Sequence, residues 1–153
     1  LQDFQLQVAS LQRAVAGSSA AIGEIQNRIA HVRAAFVVTP SAGEAERDVL
    51  QQLSTRLADI SVAIQGDSTI ASRNEPVPMS IASRAGSLYG TLVYSQSAAG
   101  GNFRDSYAVA AQEFTSALQS LRLLERDLAA LENALEIKGA PWTPGRIPEW
   151  SAD

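Results

Sequence analysis

Two stretches of this sequence place an apolar residue every seventh position for their whole length, and that spacing leaves few folds open. In the stretch 106–138, with its lead-in at Tyr107, the row Tyr107, Phe114, Leu121, Leu128 and Leu135 is followed three positions on by Ala110, Ala117, Leu124 and Leu131. One face therefore stays apolar for about nine turns of an α-helix. Near the start of the chain, Val8, Val15, Ile22, Ile29 and Phe36 form one such row, and Phe4, Leu11, Ser18, Ile25 and Val32 form the second. Each stretch predicts a long amphipathic helix, one over 3–38 and one over 105–138. Gly17, Ser18, Ser19 and Gly23 weaken the middle of the first, where a bend or a close neighbour would be accommodated.

Between them lie two shorter segments. Thr39 and Pro40 stop the first helix, because proline lacks an amide donor and disfavours helical geometry in its predecessor. Ser41 and Glu44 have the spacing of a capping box, so a second helix is expected over 44–65, with Leu50, Leu53, Leu57, Ile60 and Ile64 as its seam and Gly66 as its end. The stretch from Gly66 to Pro78 reads as the longest loop, and a third helix over 79–96 rests on Ile81, Ala85, Leu88 and Leu92. Ala82, Gly86 and Gly90 share one row of it, a place where another backbone could come close. A turn at Ser97 to Asn102, with Asn102 or Asp105 as the cap, opens the fourth helix. The pattern predicts an all-α protein: an up-down-up-down four-helix bundle over 1–138 with a proline-rich tail over 139–153.

Charge and composition bound what such a bundle can do. With 12 Lys+Arg against 16 Asp+Glu the net charge is -4, and no basic cluster supplies the phosphate attraction that nucleic-acid binding needs. There is no cysteine, hence no disulfide, thiolate nucleophile or Cys-based metal site, while the redox compartment stays open. The apolar run Ala34 to Val38 is far short of the roughly 20 residues of a membrane span, so no spanning segment is expected. Because the chain opens on Leu1, it reads as a piece excised from something longer, or as a processed product.

Catalytic and metal chemistry find little support in the residues. Di-iron bundles use Glu-x-x-His pairs on facing helices, and this chain has a single histidine, His31, which sits beside the Ile29/Val32 seam. A Ser-His-Asp arrangement would need that same imidazole. Glu46 with Asp48, or Glu132 with Glu136, could be imagined as paired carboxylates for glycoside hydrolysis, but helical spacing puts them on helix exteriors. No glycine-rich phosphate loop occurs. No cofactor, metal or catalytic residue is therefore assigned.

The polar aromatics form a more suggestive group. Tyr89 and Tyr94 on the third helix, Tyr107, and Trp142 and Trp150 in the tail account for every Tyr and Trp, and all fall after residue 88. Such rings either cover the end of a bundle or make a contact surface, and Trp142, Trp150, Tyr89 and Tyr94 are the contact candidates. After Lys138, Gly139-Ala140-Pro141 stops the last helix. Pro141, Pro144 and Pro148 then favour extended backbone, with Trp142, Ile147 and Trp150 expected to pack back along the bundle.

The AAQEF segment at Ala110 to Phe114, the Leu/Glu-rich helix after it and the tail GAPWTPGRIPEW at Gly139 to Trp150 resemble the carboxy-terminal end of large bacterial proteins of the BNR-repeat, sortilin-like glycosyl hydrolase group. EPVPMSIASRAGSLYG, from Glu75, extends the resemblance over the second half of the chain. In that group a β-propeller of Asp-box blades precedes a helical end region, and the hydrolase activity belongs to the propeller. The resemblance thus implies a non-catalytic structural or interaction domain at the end of a longer propeller protein. Its partner would be that propeller or another protein, and its setting extracytoplasmic. Self-association into a homodimer is compatible with the seams. The reading from another class is a small ligand-binding or hydrolytic bundle with a pocket between helices three and four, at the Gly86/Gly90 groove.

Overall fold

A computed structural model describes residues 2–67, 79–94 and 101–153. The protein is an all-α four-helix bundle, with α1 Gln2–Val37, α2 Glu44–Gln65, α3 Ile81–Tyr94 and α4 Gly101–Ile137 among the described residues. The heptad rows form its core. Every residue of both α1 rows is buried, Ser18 included, and in α4 only Tyr107 and Ala117 are left partly open. Ser18 is tolerated in the seam because its hydroxyl donates back to the carbonyl of Ala14 at 2.9 Å. Gly17 and Gly23 have no neighbour within 4 Å of where a side chain would begin, so no helix presses against them, and α1 is continuous.

Helix directions depart from the up-down-up-down expectation. The Phe4 ring meets Tyr107 edge-on, with centroids 5.7 Å apart, and Arg28 meets Glu132 at 2.6 Å. Both pairs join positions about equally far along α1 and α4, so the two long helices run parallel. Arg56 bonds Asp127 at 2.8 Å and Glu46 pairs with Lys138, so α2 runs antiparallel to α4. The crevice at the end of α2 gathers Asp59, Gly66, Ser80 and Ile81 beside Glu113 and Ser120 of α4, whereas Leu88 and Thr91 lie beside Asn102 and Ser106. α3 therefore continues in the direction of α2, and the order is up-down-down-up. The 22 and 14 residues of α2 and α3 together match the 36 of α1 and the 37 of α4. Each packs on both long helices, and together they form one broken column beside two columns about 55 Å long.

The break sits at Gly66 and Ser80. Gly66 ends α2 with a positive φ of 89°, its N–H donating to the Val62 carbonyl at 2.9 Å. A side-chain carbon built on it would lie 3.4 Å from the Ser80 β-carbon, so one helix ends almost against the start of the next. Ser80 caps α3, its hydroxyl oxygen accepting the Ser83 N–H at 3.1 Å. The segment 68–78 of the expected long loop, and Ser95 and Gln96 of the expected third helix, fall outside the described residues.

Two helix starts also differ from the sequence reading. Gly43, not Ser41, is the N-cap of α2, and the Glu46 carboxylate accepts the Gly43 N–H at 3.0 Å. The Ser41 hydroxyl is drawn away to the Lys138 carbonyl at 2.7 Å. α4 is already helical at Gly101, the first described residue after 94, so neither Asn102 nor Asp105 is its cap, and its described first turns have tertiary partners: Phe103 packs on the core and the Arg104 guanidinium lies 4.7 Å from the centre of the Phe4 ring. The parallel arrangement of α1 and α4 has a direct test. In this cysteine-free chain, spin labels on Gln5→Cys and Ala108→Cys, both exposed, are expected to report neighbouring helices. A reversed α4 would place them about 40 Å apart along the axis.

Candidate functional site

The end of the bundle where α1 and α4 finish holds most of the interhelical polar chemistry. α4 closes with a Schellman motif: Ala140 N–H donates to the Leu135 carbonyl and Gly139 N–H to Glu136, both at 3.0 Å, with Gly139 at φ 92°. Ala140 and Leu135 are both buried, the apolar contact that accompanies this motif, and Pro141 then prevents continuation. Beyond it the tail folds back far enough for Arg146 to grip α4. Its guanidinium donates to Glu136 at 2.7 and 3.2 Å and also reaches Asn133. Glu136 holds the Arg146 proton more firmly than usual, raising its pKa.

This clamp carries large apolar side chains that it leaves uncovered. Trp150 is 84% exposed and Ile147 88%, with Trp142 at 40%. Arg146 and Ala140 hold the tail, Trp142 borders a crevice with Asn133, Glu136 and Ile137 of α4, and Trp150, expected to pack back along the bundle, is instead left exposed. Val37, Val38 and Ile137 at the same end are exposed as well. Ile137, Trp142, Arg146 and Ile147 border a common crevice of about 550 Å³.

Tyr89 and Tyr94 lie on α3, at the end where α4 begins, and are 43% and 91% exposed. The four contact candidates thus divide between opposite ends of the bundle and make no common surface. Tyr107 is half-buried against Phe4. Among the described residues nothing lies within 4 Å of a side chain begun at Gly86 or Gly90, so no neighbouring helix closes against that row. The crevice between α3 and α4 lies on another face of α3, with Arg84, Leu88 and Phe103 in its walls and a volume of about 400 Å³.

The carboxylate pairs considered from the sequence are engaged structurally. Glu132 is buried at 2% exposure and accepts from Arg28 at 2.6 and 3.4 Å, and Glu136 serves Arg146. Their assignment to a solvated helix exterior is corrected, because α1 and the returning tail cover that face. Asp48 is exposed, while Glu46 pairs with Lys138. His31 is exposed, and among the described residues no group of His, Asp and Glu could hold a metal ion. No helix among the described residues is long and apolar enough to cross a membrane. Comparison with known protein families, with characterised proteins and with solved structures yields no match to this chain.

The ion pairs were hidden from sequence reasoning because their partners stand 104 and 92 residues apart for Arg28–Glu132 and Glu46–Lys138. Glu132 follows Leu131 of the seam directly, and that adjacency was the available signal of a buried carboxylate. Arg28→Met is expected to lower unfolding free energy by about 3 kcal/mol, toward the low end for a broken buried pair because Arg28 is part-exposed. Arg28→Met with Glu132→Leu should recover much of that loss in urea titrations, since no charge then stays buried unpaired.

Acid sensitivity follows from the same interhelical pairs. The Glu46 carboxyl is held below its ordinary 4.5 by the Lys138 ammonium first, then by the N–H groups of Glu46 and Gly43. Asp127 is likewise lowered from 3.8, chiefly by Arg56. A carboxyl with a depressed folded-state pKa contributes fully above its ordinary value, and that contribution is lost as pH falls through the folded value. The melting temperature should therefore decline below pH 4.5, and Glu46→Gln should lower the neutral plateau while flattening that decline in calorimetric scans.

Proposed function

We propose that this chain is a non-catalytic helical module that acts by surface burial, with the tail end of the bundle as its contact face. The observation that carries this reading is the combination of a fixed tail with exposed apolar groups. Arg146 ties the tail to Glu136 and Asn133, yet Trp150, Ile147 and Ile137 remain more than four-fifths exposed. Ordered apolar side chains gathered at one end are suited to docking, because little conformational entropy is left to lose on binding. Trp142 and Trp150 are the anchors, and Tyr89 and Tyr94 would serve a separate contact at the far end.

The partner we propose is a β-propeller in the same polypeptide. Its support is the resemblance of the AAQEF segment and the GAPWTPGRIPEW tail to the helical end of BNR-repeat, sortilin-like glycosyl hydrolases. On this reading hydrolysis belongs to the propeller, the setting is extracytoplasmic, and the bundle contributes position and stability. The experiment begins with the coding sequence ahead of Leu1, which should carry Asp-box repeats. The propeller and this chain, expressed separately, should then associate in calorimetry, and Trp142→Ser with Trp150→Ser should weaken association at least about tenfold with helicity unchanged. Hydrolase activity in this chain alone, or association indifferent to both tryptophans, would overturn the proposal.

A further inference from the structure

Beyond the end of α4 the tail is fastened to the bundle chiefly at one place. Pro144 and Gly145 form the centre of a turn closed by the Arg146 N–H, which donates to the Thr143 carbonyl at 3.1 Å. Gly145 supplies the φ of 87° that the second central position of a type II turn requires. The turn swings Arg146 back onto α4, where Glu136 and Asn133 take its guanidinium. From Ile147 onward the tail makes no hydrogen bond or ion pair among the described residues.

Holding the tail shut has a cost as well as a gain. The Thr143 Oγ1 is covered, in a narrow space walled by Val32, Glu132 and Leu135, and has no hydrogen-bond partner. A hydroxyl shut away unmet costs free energy that is recovered once the tail lifts and water reaches it. The gain is the Glu136–Arg146 pair, whose side chains are 8% and 26% exposed, with Glu132 and Glu149 attracting the same guanidinium. Ala140 stays with the helix through its bond to Leu135, so the tail parts from the bundle after it.

We propose that residues 141–153 are a strap with two positions, clipped shut by Arg146 on Glu136 and free when that pair separates. Opening takes Trp142 away from Asn133 and Ile137, so the apolar face at this end is assembled only while the strap is shut. A group that competes for Arg146 or neutralises Glu136 therefore takes that face apart. The consequence for binding rests on the docking role proposed above, whereas the strap itself does not.

Trypsin tests this directly, because it must take up the same Arg146 side chain that Glu136 holds. Cleavage of the whole chain at Arg146–Ile147, followed by mass spectrometry, should track the open population. Glu136→Gln should speed that cut at least about tenfold, the loss expected for a charge-assisted pair, with helicity unchanged. Asn133→Ala should speed it by less and serves if the first variant loses its helicity. Thr143→Val, which removes the unmet hydroxyl and keeps the shape, should slow the cut about fivefold or more. Glu125→Gln, exposed on α4, should leave it unchanged. In a Trp150→Phe background, where Trp142 is the sole indole, its fluorescence anisotropy should fall on adding Glu136→Gln. An unaltered cut in folded Glu136→Gln or Asn133→Ala, a cut no slower in Thr143→Val, or unmoved Trp142 anisotropy would overturn the proposal. No partner enters these measurements, so the strap and the docking role fail separately.

Discussion

The architecture depends on one requirement: two apolar seams, each running the full length of a helix about 55 Å long, must be covered along that whole length. Parallel packing of α1 on α4 covers only part of each seam. A third column is needed, and the chain builds it from α2 and α3 laid in succession, because neither is long enough alone. The dozen or so residues between Gly66 and Ser80 separate two helix ends that nearly touch. That single break decides the direction of every helix after it, and α4 can return parallel to α1 only because α3 has continued the descent of α2.

The two ends of the bundle acquire different characters from this arrangement. At one end the finishes of α1 and α4 and the start of α2 meet, so Ser41, Glu46, Lys138, Glu136 and Arg146 bind one another and fix the tail. The apolar surface left outside that polar network is what supports a docking role. At the other end the last turn of α3 meets the first turn of α4, with Phe4, Arg104 and Tyr107 closing the core.

Much of the fold was legible because heptad spacing is a local property. The rows from Phe4 to Phe36 and from Tyr107 to Leu135 are nearly all core, and the α2 and α3 seams are buried residue for residue. Caps were less legible. Ser41 with Glu44 has the right spacing for a box, yet the Lys138 carbonyl takes the Ser41 hydroxyl and leaves Gly43 with Glu46 to start the helix. Of the candidate contacts, the exposure of Ile147 and Trp150 ran against the expectation that the tail packs back along the bundle, because Arg146 anchors the tail through its polar contacts instead. The separation of the tail tryptophans from Tyr89 and Tyr94 was not legible either, since nearness in sequence says little across a helix of 37 residues.

The sequence alone determined that the chain forms long amphipathic helices, where α1, α2 and α4 stop, and which residue of every turn is apolar, because periodicity, glycine and proline act within a few residues of themselves. Only the tertiary structure decided that α3 extends α2 rather than reversing it, that Glu132 is buried against Arg28 and that Arg146 returns to grip Glu136. A helix's apolar stripe is satisfied equally well by a parallel or an antiparallel neighbour. The choice is made by contacts between residues far apart in the chain, and those contacts also determine which charged groups are neutralised and which remain available to bind.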